Sequence, residues 1–155
     1  FDLGSYKNLI KLKEEFKKFE LKFPHKYANI THSYNVTGNS LRNTKNCYQC
    51  FDTVRGVEDC KYIFIGGLNL KDSYDMLDAG TNSQLLYEGV MIGLDGCRKV
   101  LFSVNVIKGS YNVQYSMNCS SSHHLFGCIG LRHKQYCILN KQYTKEEYEK
   151  LVPKI

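Results

Sequence analysis

At 155 residues the chain can bury the core of one domain and is too short for two of ordinary size. Its 43% hydrophobic and 23% charged residues fit a globular protein, and no run approaches the roughly 18 apolar residues of a membrane span. The net charge of +6 is uneven: residues 7–26 hold seven lysines against three glutamates, so much of the surplus belongs to one terminal segment.

Taken in chain order, the first element is a helix over 5–22. Tyr6, Leu9, Ile10, Lys13, Phe16 and Phe19 recur at i, i+3, i+4 spacing with only Lys13 out of register, lysines fill the other face, and Pro24 stops it. Such a helix is expected to pack its aromatic stripe on the rest of the domain as a cap. Lys and Glu interrupt the first apolar stretches, so no signal peptide is read there. Because it opens on Phe1 rather than Met, the chain is expected to be a fragment or processed product of a longer protein.

Residues 33–140 change character. They are rich in Gly, Asn, Ser, Tyr, Cys and Val, contain no proline, and lack helical periodicity. "SYNV" occurs at 33–36 and again at 110–113, with "SYDM" at 73–76. Aligned on these, the chain gives units starting at Ser33, Cys47, Cys60, Ser73, Ser83, Cys97, Ser110, Ser122 and Gln135, a period of about 13 residues. The position three on is always apolar, the next is apolar in most units, and Asn, Asp or Gly precedes most starts as a turn signal. Units this short and this rich in Tyr, Val, Ile and Phe predict a mainly β protein, a parallel β-solenoid (β-helix). The small Cys or Ser is expected to point inward, and one coil to hold one unit or two. Thr144 with Glu147 forms a capping-box pattern, predicting a C-terminal helix over 145–151 that ends near Pro153 and serves as the second cap.

The stretches "NTKNCYQCFD" and "LFGCIGLRHKQYCILNKQYTKEEYEKL", with the Cys/Ser-punctuated repeats, resemble the C-terminal region of a family of uncharacterised Cys-rich proteins abundant in bacteria of the candidate phyla radiation. Residues 126–148 carry the resemblance most specifically. It implies zinc-ribbon-like cysteine pairs further N-terminal, outside this chain, and implies no activity. Many repeat cysteines are here Ser, Leu or Val.

Seven cysteines is an odd number and suits reduced thiols of a cytoplasmic protein, packed as small apolar side chains. The matches to the glycosylation pattern at Asn29, Asn35 and Asn118 are then coincidental. Cys47, Cys50 and Cys60, with His32 upstream, are an alternative zinc set, but a second C-x-x-C is missing. His123 and His124 are neighbours that a strand would point oppositely, a poor ligand pair. Asp72, Asp75 and Asp78 are candidate acid and base groups for a carbohydrate-active β-helix enzyme, and Asp72 also fits a turn. Neither a nucleophile elbow nor a phosphate loop is present, and no cofactor is expected.

The position after each unit start holds Tyr34, Tyr48, Lys61, Tyr74, Gln84, Arg98, Tyr111, His123 and Tyr136. Facing out, these would form one ladder of tyrosines and cations suited to a polymer, polysaccharide or nucleic acid. Arg132, His133, Lys134 and Lys141 add a basic cluster on the last coil. The expected function is a non-catalytic binding or scaffolding module along that ladder. The enzyme and a zinc-containing nucleic-acid module are the alternatives, and a protein partner or self-association is open.

Overall fold

The computed structural model describes residues 4–155, the side chain of Val54 excepted; Phe1, Asp2 and Leu3, on which the reading of a fragment rests, lie outside the described residues. The repeat folds into a parallel β-solenoid. Its strands are Ile30–Thr31 (β1), Tyr34–Arg42 (β2), Lys45–Arg55 (β3), Lys61–Leu68 (β4), Tyr74–Ala79 (β5), Gln84–Ile92 (β6), Arg98–Val104 (β7), Tyr111–Gln114 (β8), His123–Phe126 (β9), Gln135–Ile138 (β10) and Lys141–Gln142 (β11). Each pairs with the next in the chain, in parallel up to β10. Paired residues lie 13 apart in the middle (Tyr48 with Lys61, Lys61 with Tyr74, Tyr74 with Tyr87), 14 at Gln84 with Arg98, 12 at Tyr111 with His123 and 11 at Tyr34 with Lys45. One unit therefore makes one coil.

Within a coil the rhythm is three, where a flat strand alternates in twos. Cys47, Cys50, Thr53, Val57, Cys60 and Ile63 are buried in succession. The residue before most inward ones is left-handed: Asn46 (φ 52°), Gln49 (49°), Asp52 (50°), Gly56 (66°), Asp59 (52°) and Tyr62 (55°). Each such residue turns the chain, so a coil contributes four inward side chains at four corners, with two residues between them and three at one corner, such as Thr53 to Val57. Left-handed backbone costs an L-residue about 1–2 kcal/mol, least for Asn and Asp, which explains the Asn and Asp punctuation. Ladders of side chains repay part of that: Asn69 Nδ2 donates to Asn82 Oδ1 at 2.9 Å, and Asn105 Nδ2 to Asn118 Oδ1 at 2.9 Å.

The inward Cys and Ser interchange for a chemical reason. Each carries one donor that reaches the carbonyl two residues back: Ser73 to Lys71 at 2.8 Å, Ser103 to Leu101 at 2.8 Å, and the Cys60 thiol to Glu58 at 3.1 Å. The buried Thr44 does the same, its Oγ1 donating to the Arg42 carbonyl at 3.2 Å. Apolar side chains fill the remaining corners, large beside small. A Cβ on Gly89 would overlap the Ile92 side chain and approach Met76 Cε at 3.2 Å.

Besides Cys47, which pairs with Val36 and not with Ser33, three assignments shift. Ser83 does not stack on Ser73: Lys71 pairs with Gln84, which puts Ser83 over Leu70 at a different corner. The ten-residue interval between Ser73 and Ser83 was the trace of that change of corner. The last unit starts at Lys134 rather than Gln135, because Gln135 pairs with His123 and the Lys134 N–H donates to Ser122 Oγ at 3.1 Å.

The helices are the third case. The helix Tyr6–Glu20 (α1) forms, but none of its residues is buried, so it does not cap the solenoid. The first coil presents Ser33, Val36, Gly38 and Ser40, too polar a seat for an aromatic stripe. The opposite end is closed. β11 runs antiparallel to β10 over the last coil, and the helix Lys145–Leu151 (α2) buries Tyr148. Its capping box is complete: Thr144 Oγ1 accepts the Glu147 N–H at 3.2 Å and Glu147 Oε2 accepts the Thr144 N–H at 2.9 Å. Among the described residues no helix is long and apolar enough to cross a membrane.

Candidate functional site

The register divides the expected single ladder into two files on different sides of the coil. Tyr34 faces Lys45, and the file continues through Glu58, Lys71, Gln84, Arg98, Tyr111 and His123. The second holds Tyr48, Lys61, Tyr74 and Tyr87, each opposite the next. Both face outward as expected, but changes of corner at Cys47, which pairs with Val36 rather than Ser33, and at Ser83 prevent a continuous file of tyrosine. The first file is mixed in charge and carries the Lys71–Glu58 ion pair at 2.9 Å, which raises the Lys71 pKa.

The second file builds a groove of about 890 Å³ along the N-terminal coils. Tyr48, Lys61 and Tyr74 come from successive strands β3, β4 and β5 at one register position, which fixes their spacing at about 4.8 Å per coil. Tyr62, at a left-handed corner, turns its ring edge to Tyr48 with centroids 5.7 Å apart, and Lys61 Nζ lies 5.7 Å from the Tyr74 ring centre. The far wall is an amide ladder: Asn35 Nδ2 donates to Asn46 Oδ1 at 3.1 Å, and Asn46 Nδ2 to Asp59 Oδ1 at 2.9 Å. Those bonds use one N–H of each amide, leaving further donors and acceptors for a ligand. Lys61 and Asp59 are the charged residues lining the groove, so its charge balances.

Of this groove's lining the sequence reading named Tyr48, Lys61 and Tyr74, and not Tyr62, Asn35, Asn46 or Asp59 as ligand-facing. The signal was present, since Asn35, Asn46 and Asp59 each precede an inward Val36, Cys47 or Cys60 at the same phase. Arg98 and Tyr111 line a separate shallow groove of about 380 Å³ with Leu85, Lys99 and Asn112. Arg132 lines another of about 380 Å³, and Lys134 is exposed on the last coil.

Tyr136 belongs to neither file. It sits at a left-handed corner, stacked on His124 at 4.7 Å and edged by Tyr148 at 5.8 Å. His124 is left-handed too, so it does not point opposite His123; their rings meet at 5.7 Å, and His123 stacks on Tyr111 at 4.6 Å. Burial, and next the His123 charge, lower the His124 pKa, and burial pushes the Tyr148 phenol up to about 12.

Asp72, Asp75 and Asp78 occupy left-handed positions at three successive corners of one coil, so they follow the bend instead of converging on one bond. All seven cysteines are free and buried. The thiols of Cys47, Cys50 and Cys60 donate to the carbonyls of Lys45, Tyr48 and Glu58 and influence one another: the other two hold the Cys47 pKa down, while Cys47 and then burial push Cys50 and Cys60 up. His32 is exposed, away from these interior thiols. No group of three or more His, Cys, Asp or Glu among the described residues is arranged to hold a metal.

Fold and groove together define a helix-closed parallel β-solenoid with an aromatic, amide-walled surface groove. Comparison with protein-family models, curated proteins and solved structures finds no match to this chain.

Proposed function

We propose that the protein is a non-catalytic binding module whose ligand is a neutral polysaccharide lying along the groove of Tyr48, Lys61, Tyr62 and Tyr74. The supporting observation is the pairing of tyrosine rings with an amide ladder in a groove whose charges balance. Sugar rings offer apolar C–H faces to aromatic rings and hydroxyls that both donate and accept, which the Asn35–Asn46–Asp59 wall can meet in either sense. A nucleic acid would need several cations for its phosphates, and the groove lining supplies Lys61 beside the Asp59 carboxylate. From Thr37 to Tyr74 the wall spans three coil steps, about 14 Å, long enough for more than one sugar ring.

The test is affinity electrophoresis through gels containing xylan, glucomannan, mannan or a mixed-linkage glucan, at low and high salt. Retardation by a neutral glycan that survives salt and vanishes in Tyr48→Ala/Tyr74→Ala supports the reading. Retardation by single-stranded DNA alone, lost with salt, would overturn it, as would the absence of retardation in any gel.

A further inference from the structure

The outward position following the corner of Cys50, Ile63, Met76, Gly89, Ser103, Ser116 and Cys128 carries an unbroken apolar stripe. Phe51, Phe64, Leu77, Val90, Val104, Met117 and Ile129 stack in register through seven coils. Each is exposed, from 37% at Val90 to 56% at Ile129. Monomeric proteins rarely leave a contiguous apolar surface of this kind uncovered. The same chain carries a second uncovered apolar face, on α1, where Tyr6, Ile10, Phe16 and Phe19 are all exposed.

We infer that the protein self-associates by seating α1 of one copy on the apolar stripe of a second copy, reciprocally in a two-fold dimer. Lengths agree: fifteen helical residues extend about 22 Å and the seven stacked coils about 29 Å. A helical turn of about 5.4 Å also nearly matches a coil step of about 4.8 Å, so successive turns meet successive coils. Charges agree as well. The left-handed positions flanking the stripe hold Asp52, Asp75, Asp78 and Glu88 and, through the seven coils, no Lys or Arg. The helix α1 carries Lys7, Lys11, Lys13, Lys17 and Lys18 against three glutamates, with Lys13 set within the stripe between Ile10 and Phe16.

The segment after α1 favours a second copy over the chain's own stripe. Phe23 packs on Phe19 with ring centroids 4.9 Å apart, and His25 Nε2 bonds the Glu20 carbonyl at 2.8 Å. These contacts fix the helix exit in a conformation in which α1 buries nothing on its own solenoid. The groove file of Tyr48 and Tyr74 runs beside the stripe on the same strands, with Tyr62 at the corner between them.

The test uses full-length protein with two outward-facing double variants, Phe16→Glu/Phe19→Glu on the helix and Leu77→Glu/Val90→Glu on the stripe, each checked for retained fold by circular dichroism. In sedimentation equilibrium the parent chain is expected to dimerise, with a dissociation constant that rises in high salt. Either variant alone should weaken dimerisation at least about tenfold. Mixed 1:1, the two should recover dimer, because one helix and one stripe remain intact to meet. A parent chain monomeric at every concentration overturns the inference. So does a helix variant that dimerises like the parent, which would mean two stripes face each other, or a mixture that fails to complement.

Discussion

The Ser116 hydroxyl accepts the backbone N–H of Cys128, its neighbour one coil on, at 3.0 Å and donates to the Gln114 carbonyl at 2.8 Å. One small side chain thus ties two coils and closes its own corner. Ser116→Ala leaves a buried N–H and a carbonyl without that partner and should cost about 1–3 kcal/mol by urea denaturation. Ser116→Cys should cost less, since Cys128 itself donates to the Phe126 carbonyl at 3.4 Å. Equal losses for Ala and Cys would refute the role given to the hydroxyl.

At the corners the backbone itself is the test. Asn105 is left-handed (φ 51°) and Asn105→Ala should lose about 1–2 kcal/mol from strain, and more from its broken amide ladder. Asn105→Gly should recover the strain component but not the ladder. If glycine proves no better than alanine in thermal unfolding, left-handed geometry is not what selects the residue.

Thr53 is buried with an Oγ1 that has no hydrogen-bond partner among the described residues. Replacing it by the isosteric valine removes a desolvated hydroxyl and should stabilise the chain by about 1 kcal/mol. A destabilised Thr53→Val would mean the hydroxyl is satisfied in solution.

The C-terminal closure should be sensitive to alkali. Tyr148 is buried and its folded pKa rises from 10.0 to about 12, so the folded chain holds that proton more tightly than the unfolded one. The associated stability is fully present below pH 10 and is lost as pH climbs toward 12, by up to about 2–3 kcal/mol. Tyr148→Phe should flatten that part of the profile in pH-dependent melting. A variant whose alkaline loss equals the parent's contradicts the assignment.

His124 has the opposite sign. The Asn112 amide nitrogen lies 2.8 Å from Nδ1, an arrangement that suits a neutral ring accepting the amide proton. Its folded pKa is lowered, so stability present above 6.5 is lost as pH falls through the folded value. An NMR titration of His124 should give a lower midpoint than an unstructured histidine; a higher one would reverse the account of the stack.

How far these features were legible follows from what each depends on. The 13-residue coil was readable because small inward residues such as Cys47 and Cys60 recur in phase with Asn46 and Asp59, and a corner hydrogen bond demands just those types. The capping box of α2 was legible because Thr144 and Glu147 satisfy each other locally. The three-residue rhythm was hidden because Leu85, Met91 and Phe102 also adopt left-handed backbone, held there by sheet pairing that no single residue type announces. Without that rhythm the second apolar position has no assigned side in the sequence, and Phe64 and Leu77 prove exposed on the stripe. The same gap merged Tyr34 and Tyr111 with Tyr48 and Tyr74, residues that share a phase in the chain but not a side of the coil.

The central claim concerns the groove, and the equilibrium dissociation constant for the neutral polysaccharide that most retards the parent chain tests it most directly. Measured by isothermal titration at 0.15 M salt for the parent and for Tyr48→Ala/Tyr74→Ala, it should weaken at least about tenfold in the variant, while circular dichroism shows an unchanged solenoid. Equal affinities, or tight binding carried by Arg98 and Tyr111 instead, would contradict the account.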